Sequence, residues 1–341
     1  MRVLGIETSC DDTSIAIVSL VKKRFQIEVN VTASQVLMHR QYGGVVPEVA
    51  AREHAVTILP TLKAALQKSK RSWRDIDAIA VTGGPGLNTA LLVGVETART
   101  LGYVLKKPIV RVNHIEGHVV SNWAGKNISD IKFPAVALIV SGGHTELILL
   151  KKFGQYRLLG KTRDDAVGEA FDKVAKLFGL SYPGGPAVSK CATSGNPKTY
   201  NFPRSMFSRG SLEFSYAGLK TAVLYKKQEL GRLNKQIMND LCASFQAAAV
   251  DQLVEKSKRA LALTSAKTFL LGGGVAANSL LRQQLATMIT KNFPSVECHQ
   301  PVLSLCPDNA AMIAIAGIFH ARHKDFTPWP KLKADPNWEL V

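Results

Sequence analysis

The sequence has few of the features that mark membrane, secreted or disulfide-bonded proteins. No apolar run approaches the ~20 residues needed to span a bilayer. The cysteines include no C-x-x-C pair, which argues against a disulfide framework and against a cysteine zinc site. An apolar strand pattern begins almost at Met1 and leaves no room for a signal peptide. We therefore expect a cytoplasmic protein with reduced thiols and no membrane partner.

Acidic residues are also scarce. The chain has 26 Asp and Glu against 43 Lys and Arg, which gives a formal net charge of +17. Because 46% of the 341 residues are hydrophobic, the charge does not indicate a disordered chain. A chain of this length and composition is expected to form two lobes, each with its own hydrophobic core. The positive excess indicates a polyanionic partner, with nucleic acid as the leading candidate. A generally basic proteome is the alternative explanation.

The pattern of strands and helices occurs twice along the chain. Three runs rich in β-branched residues open the sequence, and the order βββαβαβα that they begin starts again at Phe133. Polar turns at residues 7–13 and 141–145 occupy equivalent places in the two copies. Paired hairpin loops of this kind face one another across an interdomain cleft in the actin, sugar-kinase and Hsp70-like folds. We predict a duplicated actin-like (ASKHA) α/β fold. Its N-terminal lobe spans 1–112 and is completed by 308–341, and its C-terminal lobe spans 113–307.

Two histidines follow an apolar strand pattern. His114 and His118 are one helical turn apart, so they share a helix face and can hold one divalent metal together with a carboxylate. Asp308, at the start of a late apolar helix, is a candidate third ligand, with a helix N-cap as its alternative role. Glu116 lies on the opposite face, about 200° from His114 at ~100° per residue, unlike the acid of H-E-x-x-H. The spacing favours a metal site over a zincin-type protease; two surface histidines are the alternative.

A glycine-rich segment, LGGGVAAN at 271–278, lies between a predicted strand and helix. Bare backbone there can approach a phosphate or a ribose, and Asn278 is available to the same ligand. The alternative is a helix cap at Asn278 with glycines that only permit close packing. A Rossmann site is disfavoured because the segment is late in the chain and position 292 is Asn. The sequence around Lys161 lacks the earlier glycine of a P-loop.

Ten segments together resemble one known family, the TsaD family of tRNA N6-adenosine threonylcarbamoyltransferases. In chain order they are GIETSCDDT, QYGGVVPE, GPGL, NHIEGH, VALIVSGGHTELI, GEAFDKVAKLFGL, YPGGP, GLKTAV, GGGVAAN and CPDNAAMIA. The resemblance covers essentially the whole chain and is close to the bacterial members. It implies transfer of threonylcarbamoyl from threonylcarbamoyl-AMP to N6 of the adenosine 3′ of the anticodon, in tRNAs that read codons beginning with A. It also implies help from TsaB and TsaE proteins and an upstream threonylcarbamoyl-AMP synthase.

The resemblance also implies roles for individual residues. The family's metal ligands fall on His114, His118 and Asp308, with Fe²⁺ or Zn²⁺ as the expected ion. Its acidic pair near the first hairpin falls on Asp11 and Asp12, as candidate catalytic residues. The expected substrate-contacting residues are Ile139, Val140, Ser141, Gly142, Gly143, Asp172, Gly185 and Asn278. Two positions depart from the family: Asp12 stands where bacterial relatives usually carry Glu, and Asn113 where many members have a third histidine.

A tRNA surface is expected at residues 198–220. That segment combines the cations Arg204, Arg209 and Lys220 with the rings of Tyr200, Phe202 and Tyr216. Two other functions compete with tRNA modification. A metal-dependent glycoprotein endopeptidase is disfavoured by the position of Glu116. An actin-like ATPase or kinase is disfavoured because the first hairpin lacks an Asp followed by Gly and Ser or Thr.

Overall fold

The computed structural model describes residues 1–205 and 210–341. Within these residues, ten strands form two five-stranded sheets. The strands are β1 Arg2–Glu7, β2 Asp12–Val21, β3 Arg24–Ser34, β4 Ala78–Gly84, β5 Ile109–Asn113, β6 Ala135–Val140, β7 Thr145–Lys152, β8 Gln155–Lys161, β9 Thr268–Gly272 and β10 Glu297–His299. The α-helices are α1 Val36–Arg40, α2 Pro47–Ser69, α3 Asn88–Leu105, α4 His114–Val120, α5 Val167–Leu177, α6 Gly184–Ala192, α7 Ala217–Leu230, α8 Lys235–Ala262, α9 Ser279–Asn292 and α10 Ala310–Arg322.

The two sheets have the same topology. The first has the order β3-β2-β1-β4-β5, and the second, followed from its other edge, has the order β8-β7-β6-β9-β10. In each, the first three strands are antiparallel, and the two later strands run parallel to the first. β4 and β6 are buried at every residue, as expected for central strands covered on both faces. The predicted duplicated α/β fold is confirmed.

The chain divides into two units that differ from the predicted lobes. The first unit comprises Met1–Ile131 and Ser304–Val341, and the second comprises Lys132–Leu303. Residues 113–131 were expected in the second lobe, but they belong to the first unit because α4 packs against α10. The division therefore falls after Ile131 rather than after residue 112.

Helix α10 packs directly on the first sheet, and two glycines make this close approach possible. A Cβ added at Gly5 of β1 would lie 2.3 Å from the carbonyl oxygen of Ala310. A Cβ added at Gly317 would lie 2.4 Å from the Cβ of Ala80 in β4. Since real Cβ atoms do not come so close, larger residues at these positions would push the helix away from the sheet. This contact fixes the position of Asp308, two residues before α10.

Among the residues that the structure describes, no helix is both long enough and apolar enough to cross a membrane.

Candidate metal centre and substrate-binding loops

Three parallel strands of the first unit end beside one another and carry polar side chains at those ends. Glu7 ends β1, Thr82 lies near the end of β4, and β5 ends at Asn113 immediately before α4. The carboxyl ends of parallel strands share one sheet edge, where α/β proteins commonly bind ligands. Thr82 Oγ1 donates a 2.7 Å hydrogen bond to Glu7, which shows how closely the strand ends meet.

Helix α4 holds both histidines inside the protein. The side chain of Asn113 caps the helix by accepting hydrogen bonds from the N–H groups of Ile115 and Glu116, at 2.9 and 3.4 Å. Such a cap fixes the first turn of a short helix. All seven residues of α4 are buried, and the rings of His114 and His118 lie 4.7 Å apart between centroids. The predicted shared face is present, and the alternative of two surface histidines is wrong.

Asp308 completes a compact group with the two histidines. Its Oδ1 lies 3.5 Å from His114 Nε2 and 3.2 Å from His118 Nε2. One ligand atom from each of the three residues lies within 4.8 Å of the other two. Zn²⁺ binds imidazole nitrogen and carboxylate oxygen at about 2.0–2.2 Å, so ligand atoms separated by about 3–4 Å suit a single ion. The group could hold a metal ion, as its sequence pattern predicts.

The side chain of His118 supports this interpretation. Both of its ring nitrogens are buried, and neither has a hydrogen bond of good geometry. A buried polar atom without a partner is costly, and such atoms mark places where an ion or a water belongs. Burial also lowers the pKa of His118. The neutral form that this favours is the form that binds metals.

Glu7 orients His114. Its Oε2 accepts a 3.1 Å hydrogen bond from His114 Nδ1, which directs Nε2 towards Asp308. A carboxylate behind a histidine in this way fixes the ring tautomer and makes the facing nitrogen a better metal ligand. Sequence reasoning missed this role of Glu7. The available signal was its position: Glu7 ends β1, which runs parallel to β5, the strand that precedes His114.

The charges of the group favour a cation. Burial by itself would lower the pKa of His114, but the carboxylates of Asp308 and Glu7 outweigh it and raise the pKa to about 10. Burial likewise opposes ionisation of Asp308, yet the charge of His114 holds the pKa of Asp308 well below its ordinary value. The proton on His114 thus balances the carboxylates of Glu7, which is buried, and Asp308, which is half-buried. A divalent ion would displace that proton, so metal affinity should rise with pH.

Glu116 takes no part in this group. Its side chain is buried on the other side of α4, where Oε2 lies 2.7 Å from His320 Nε2. His320 Nδ1 in turn lies 2.8 Å from Asp325 Oδ2. The predicted opposite placement of Glu116 and the histidine pair is therefore present, and the acid links α4 to the end of α10.

Asp11 and Asp12 lie in the first hairpin, within electrostatic reach of Asp308. Burial raises the pKa of Asp11, and the charge of Asp308 raises it further. Burial also raises the pKa of Asp12, to about 7; a hydrogen bond with Ser34 opposes the rise, and the charge of Asp11 adds to it. The Oδ1 atom of Asp12 is buried and makes no hydrogen bond. A carboxyl group with a pKa near neutrality can both accept and return a proton at physiological pH.

In the second unit, the expected substrate loop between β6 and β7 exposes backbone. Ile139 and Val140 are fully buried, so their side chains face the core. Ser141 Oγ accepts a 3.1 Å hydrogen bond from His144 N and closes the turn. Gly142 and Gly143 are exposed, and a Cβ added at either would meet nothing within 4 Å. Ligand contacts in this loop would therefore come from the backbone.

Asp172 and Gly185 are brought together at the start of α6. Asp172 Oδ1 accepts a 2.7 Å hydrogen bond from Gly184 N, so it occupies one free N–H of the helix. Gly185 is the next residue, and a Cβ added there would meet open space.

The glycine-rich segment has a packed side and an open side. Gly273 has φ +91°, and a Cβ there would lie 2.3 Å from the carbonyl oxygen of Val140. Gly274 is exposed, with nothing within 4 Å of an added Cβ. Asn278 caps α9 by accepting a 3.0 Å hydrogen bond from Leu281 N, and its Nδ2 donates to Gln246 Oε1 at 2.9 Å. The helix cap, which is the alternative role of Asn278, is present, and contact of Asn278 with a substrate stays a prediction.

Binding of tRNA at 198–220 stays a prediction, but several of the expected side chains are already paired or buried. Arg204 forms an ion pair with Asp251 at 2.7 Å, and Lys220 forms one with Asp165 at 2.9 Å. The rings of Phe202 and Tyr216 are buried, so they cannot stack on bases. Arg209 lies outside the described residues.

The fold and this group of side chains define a two-lobe actin-like protein with a candidate metal centre in its first unit. The family model described as "TsaD: tRNA N6-adenosine threonylcarbamoyltransferase" matches residues 26–315. A relative of that name from Desulfitobacterium hafniense (strain Y51) is 46% identical, with 100% of this chain and 98% of the relative covered. Another from Anaeromyxobacter sp. (strain Fw109-5) is 46% identical, with both chains covered completely. The chain belongs to the TsaD family of transferases that act on tRNA.

Solved structures of other proteins share the fold. Full-length HypF in its phosphate- and nucleotide-bound form matches with a TM-score of 0.62 at 12% identity, over 96% of this chain and 56% of HypF. Component A of (R)-2-hydroxyglutaryl-CoA dehydratase from Acidaminococcus fermentans matches with a TM-score of 0.52 at 14% identity, over 92% and 96% of the two chains. At such low identity the likeness concerns the fold alone.

Proposed function

We propose that this protein transfers the threonylcarbamoyl group from threonylcarbamoyl-AMP to N6 of the adenosine 3′ of the anticodon, in tRNAs that read codons beginning with A, and releases AMP. The observation that carries this proposal is family membership along the whole chain, at 46% identity to relatives with that name. The net charge of +17 suits a polyanionic substrate. A protein that modifies tRNA is expected in the cytoplasm.

The reaction needs a proton acceptor and a site for developing negative charge. The N6 nitrogen forms a bond with the carbamoyl carbon, the bond from that carbon to the phosphate oxygen breaks, and a proton leaves N6. No protein nucleophile is required because AMP is already a good leaving group. Asp11 and Asp12 are the proposed proton acceptors, and the pKa of Asp12 near 7 favours this role for it. The backbone N–H groups of Gly142 and Gly143, which are exposed residues, would stabilise the oxygen on which charge develops.

We further propose that His114, His118 and Asp308 hold one Fe²⁺ or Zn²⁺ ion, since two imidazoles and a carboxylate suit both. Such an ion would orient the threonyl group and polarise the carbonyl of the donor. Glu7 keeps the His114 ring in the orientation that binding requires. Gly185 and Asn278 are proposed to contact the adenylate part of the donor. TsaB and TsaE proteins and a threonylcarbamoyl-AMP synthase are the proposed protein partners.

The test is transfer of labelled threonine into tRNA by the purified protein, supplied with the synthase, ATP, bicarbonate and the two candidate partners. Label should appear only in tRNAs that read codons beginning with A, and a tRNA with the target adenosine replaced by guanosine should stay unlabelled. ATP turnover without tRNA, in the absence of any transfer, would favour an actin-like ATPase instead. Cleavage of a glycoprotein that a chelator stops would favour the peptidase.

A further inference from the structure

A strongly basic surface forms where three segments of the first unit meet. We call it the hairpin surface. It consists of the β2–β3 turn, the loop before residue 127 and the end of α10, and its cations are Lys22, Lys23, Arg24, Lys126, Arg322 and Lys324. All of them are exposed except Lys126, which is half-buried.

Backbone hydrogen bonds and buried rings hold the three segments together. The carbonyl of Lys23 accepts a hydrogen bond from Ile128 N, and that of Lys126 accepts one from Phe25 N, both at 2.9 Å. Beneath them, the ring of Phe319 in α10 lies 5.2 Å from that of Phe25 and 5.5 Å from that of Trp123. The cations are therefore displayed on a fixed platform.

Most cations of the hairpin surface have no ion-pair partner. In the described part of the chain, five of them form no ion pair: Lys22, Lys23, Arg24, Arg322 and Lys324. Asp130 is hydrogen-bonded to Asn127, which lowers its pKa, and the charges of Lys126 and Arg24 lower that pKa further. Asp325 is paired with His320. This differs from Arg204 and Lys220 in the segment at 198–220, which are already paired.

Three of these lysines occupy backbone conformations that lysine rarely adopts. Lys22 has φ 48° and Lys23 has φ 69°, so the two-residue turn of the hairpin has positive φ at both central positions. Such a turn strongly prefers Asn-Gly, because L side chains are strained there. Lys324 has φ 58°. Glycine adopts this conformation freely, so it can replace each of these lysines without backbone strain.

From the unpaired charge and the fixed platform, we infer that the hairpin surface binds the phosphate backbone of the tRNA substrate. The inference rests on the proposed function, which makes tRNA the substrate. The contact would be electrostatic and independent of sequence, because Phe25, Trp123 and Phe319 are buried and cannot stack on bases.

The lysines with positive φ allow a test that separates the effect of charge on tRNA binding from any effect on folding. Replacing Lys22 and Lys23 with glycine removes two charges and relieves strain, so the variant should be at least as stable as the wild type. The matched control replaces Lys70 and Lys106, which also have positive φ but lie at the C-terminal caps of α2 and α3. Both double variants lose the same net charge through the same substitution. A third variant, Lys324→Gly, tests the α10 segment by itself.

The measurement is the affinity for unmodified tRNA at several salt concentrations, followed by fluorescence anisotropy. In the Lys22→Gly/Lys23→Gly variant, the slope of log K against log salt should fall by about 1.4–1.8, since each phosphate contact contributes about 0.7–0.9. Lys324→Gly should lower it by about half as much. The slope of the control should equal that of the wild type.

Two outcomes would overturn the inference. An unchanged slope in the hairpin variant would show that tRNA binds elsewhere. It would favour an acidic protein as the partner of this surface. An equal loss in the control would show that only net charge matters. Both differ from failure of the proposed function, in which the wild-type protein with its partners leaves tRNA unmodified.

Discussion

The candidate metal centre of the first unit and the glycine loops of the second unit are built in opposite ways. In the metal centre, the functional groups are side chains: His114, His118 and Asp308 converge, and both ring nitrogens of His118 lack a good hydrogen bond. In the loops, the side chain of Asn278 is already bonded, whereas the backbone at Gly142 and Gly274 is open. The first site depends on which side chains are present. The second depends on which side chains are absent.

The largest effect is expected from loss of a metal ligand. His118→Ala or Asp308→Ala should abolish metal binding and threonylcarbamoyl transfer, because a site with two ligands holds a divalent ion poorly. Metal content by elemental analysis and the transfer assay measure the two effects. His299→Ala, a histidine of the second unit, is the control and should retain both. A His118→Ala protein with full metal content would contradict this assignment.

The glycine-rich segment should respond differently at two adjacent positions. Gly273→Ala places a Cβ against the carbonyl oxygen of Val140 at a positive φ, and should cost about 2–4 kcal/mol of stability. Gly274→Val points into open space, so stability should change by less than about 0.5 kcal/mol. That variant should nevertheless lose AMP binding, because its side chain occupies the space that the nucleotide needs. Urea denaturation and calorimetry with AMP separate the effects; undiminished AMP affinity in folded Gly274→Val would remove the loop from the site.

A smaller effect is expected from the residue that orients His114. Glu7→Gln keeps the shape of the side chain but removes its charge, and should weaken metal affinity by about 10–100-fold. Competition with a chromophoric chelator measures this affinity. Thr82→Val, which removes only a hydrogen bond to Glu7, is the milder comparison. If Glu7→Gln binds metal as tightly as the wild type, the carboxylate has no orienting role.

The sequence predicted the fold and the shared helix face of His114 and His118 because these signals are local or periodic. Two runs of three consecutive strand patterns predict the duplicated fold. The four-residue spacing of His114 and His118 places both side chains on one helix face. The role of Glu7 was missed because it depends on β1 and β5 ending at one sheet edge, which is a tertiary fact. The ion pairs of Arg204 and Lys220 were not predicted because their partners Asp251 and Asp165 are remote in sequence. The lobe boundary was misplaced because α4 packs on α10, almost 200 residues later in the chain.

The smallest functional effect is expected from Glu116, the acid that lies between the two histidines in sequence. Glu116→Gln should keep its metal and most of its transfer activity, because the side chain contacts His320 rather than the metal ligands. Its effect should be on stability. Burial alone would lower the pKa of His320, but Glu116 and Asp325 raise it to about 9. Because the folded pKa exceeds the unfolded value near 6.5, the pair stabilises the protein fully below pH 6.5 and loses this effect as pH rises through 9.

Glu116→Gln should therefore lower the free energy of unfolding by about 1–2 kcal/mol at pH 6 and by much less at pH 10. Urea denaturation of the variant and the wild type at pH 6 and pH 10 measures the difference in their free energy of unfolding. Other titrating groups contribute equally to both proteins and cancel in this difference. Asp325→Asn, at the exposed end of the same chain of contacts, should show a weaker pH dependence of the same sign. If Glu116→Gln instead bound metal normally and lost all transfer, the acid would act in the chemistry. The assignment of metal binding to the face with His114 and His118, and of a purely structural role to the face with Glu116, would then be wrong.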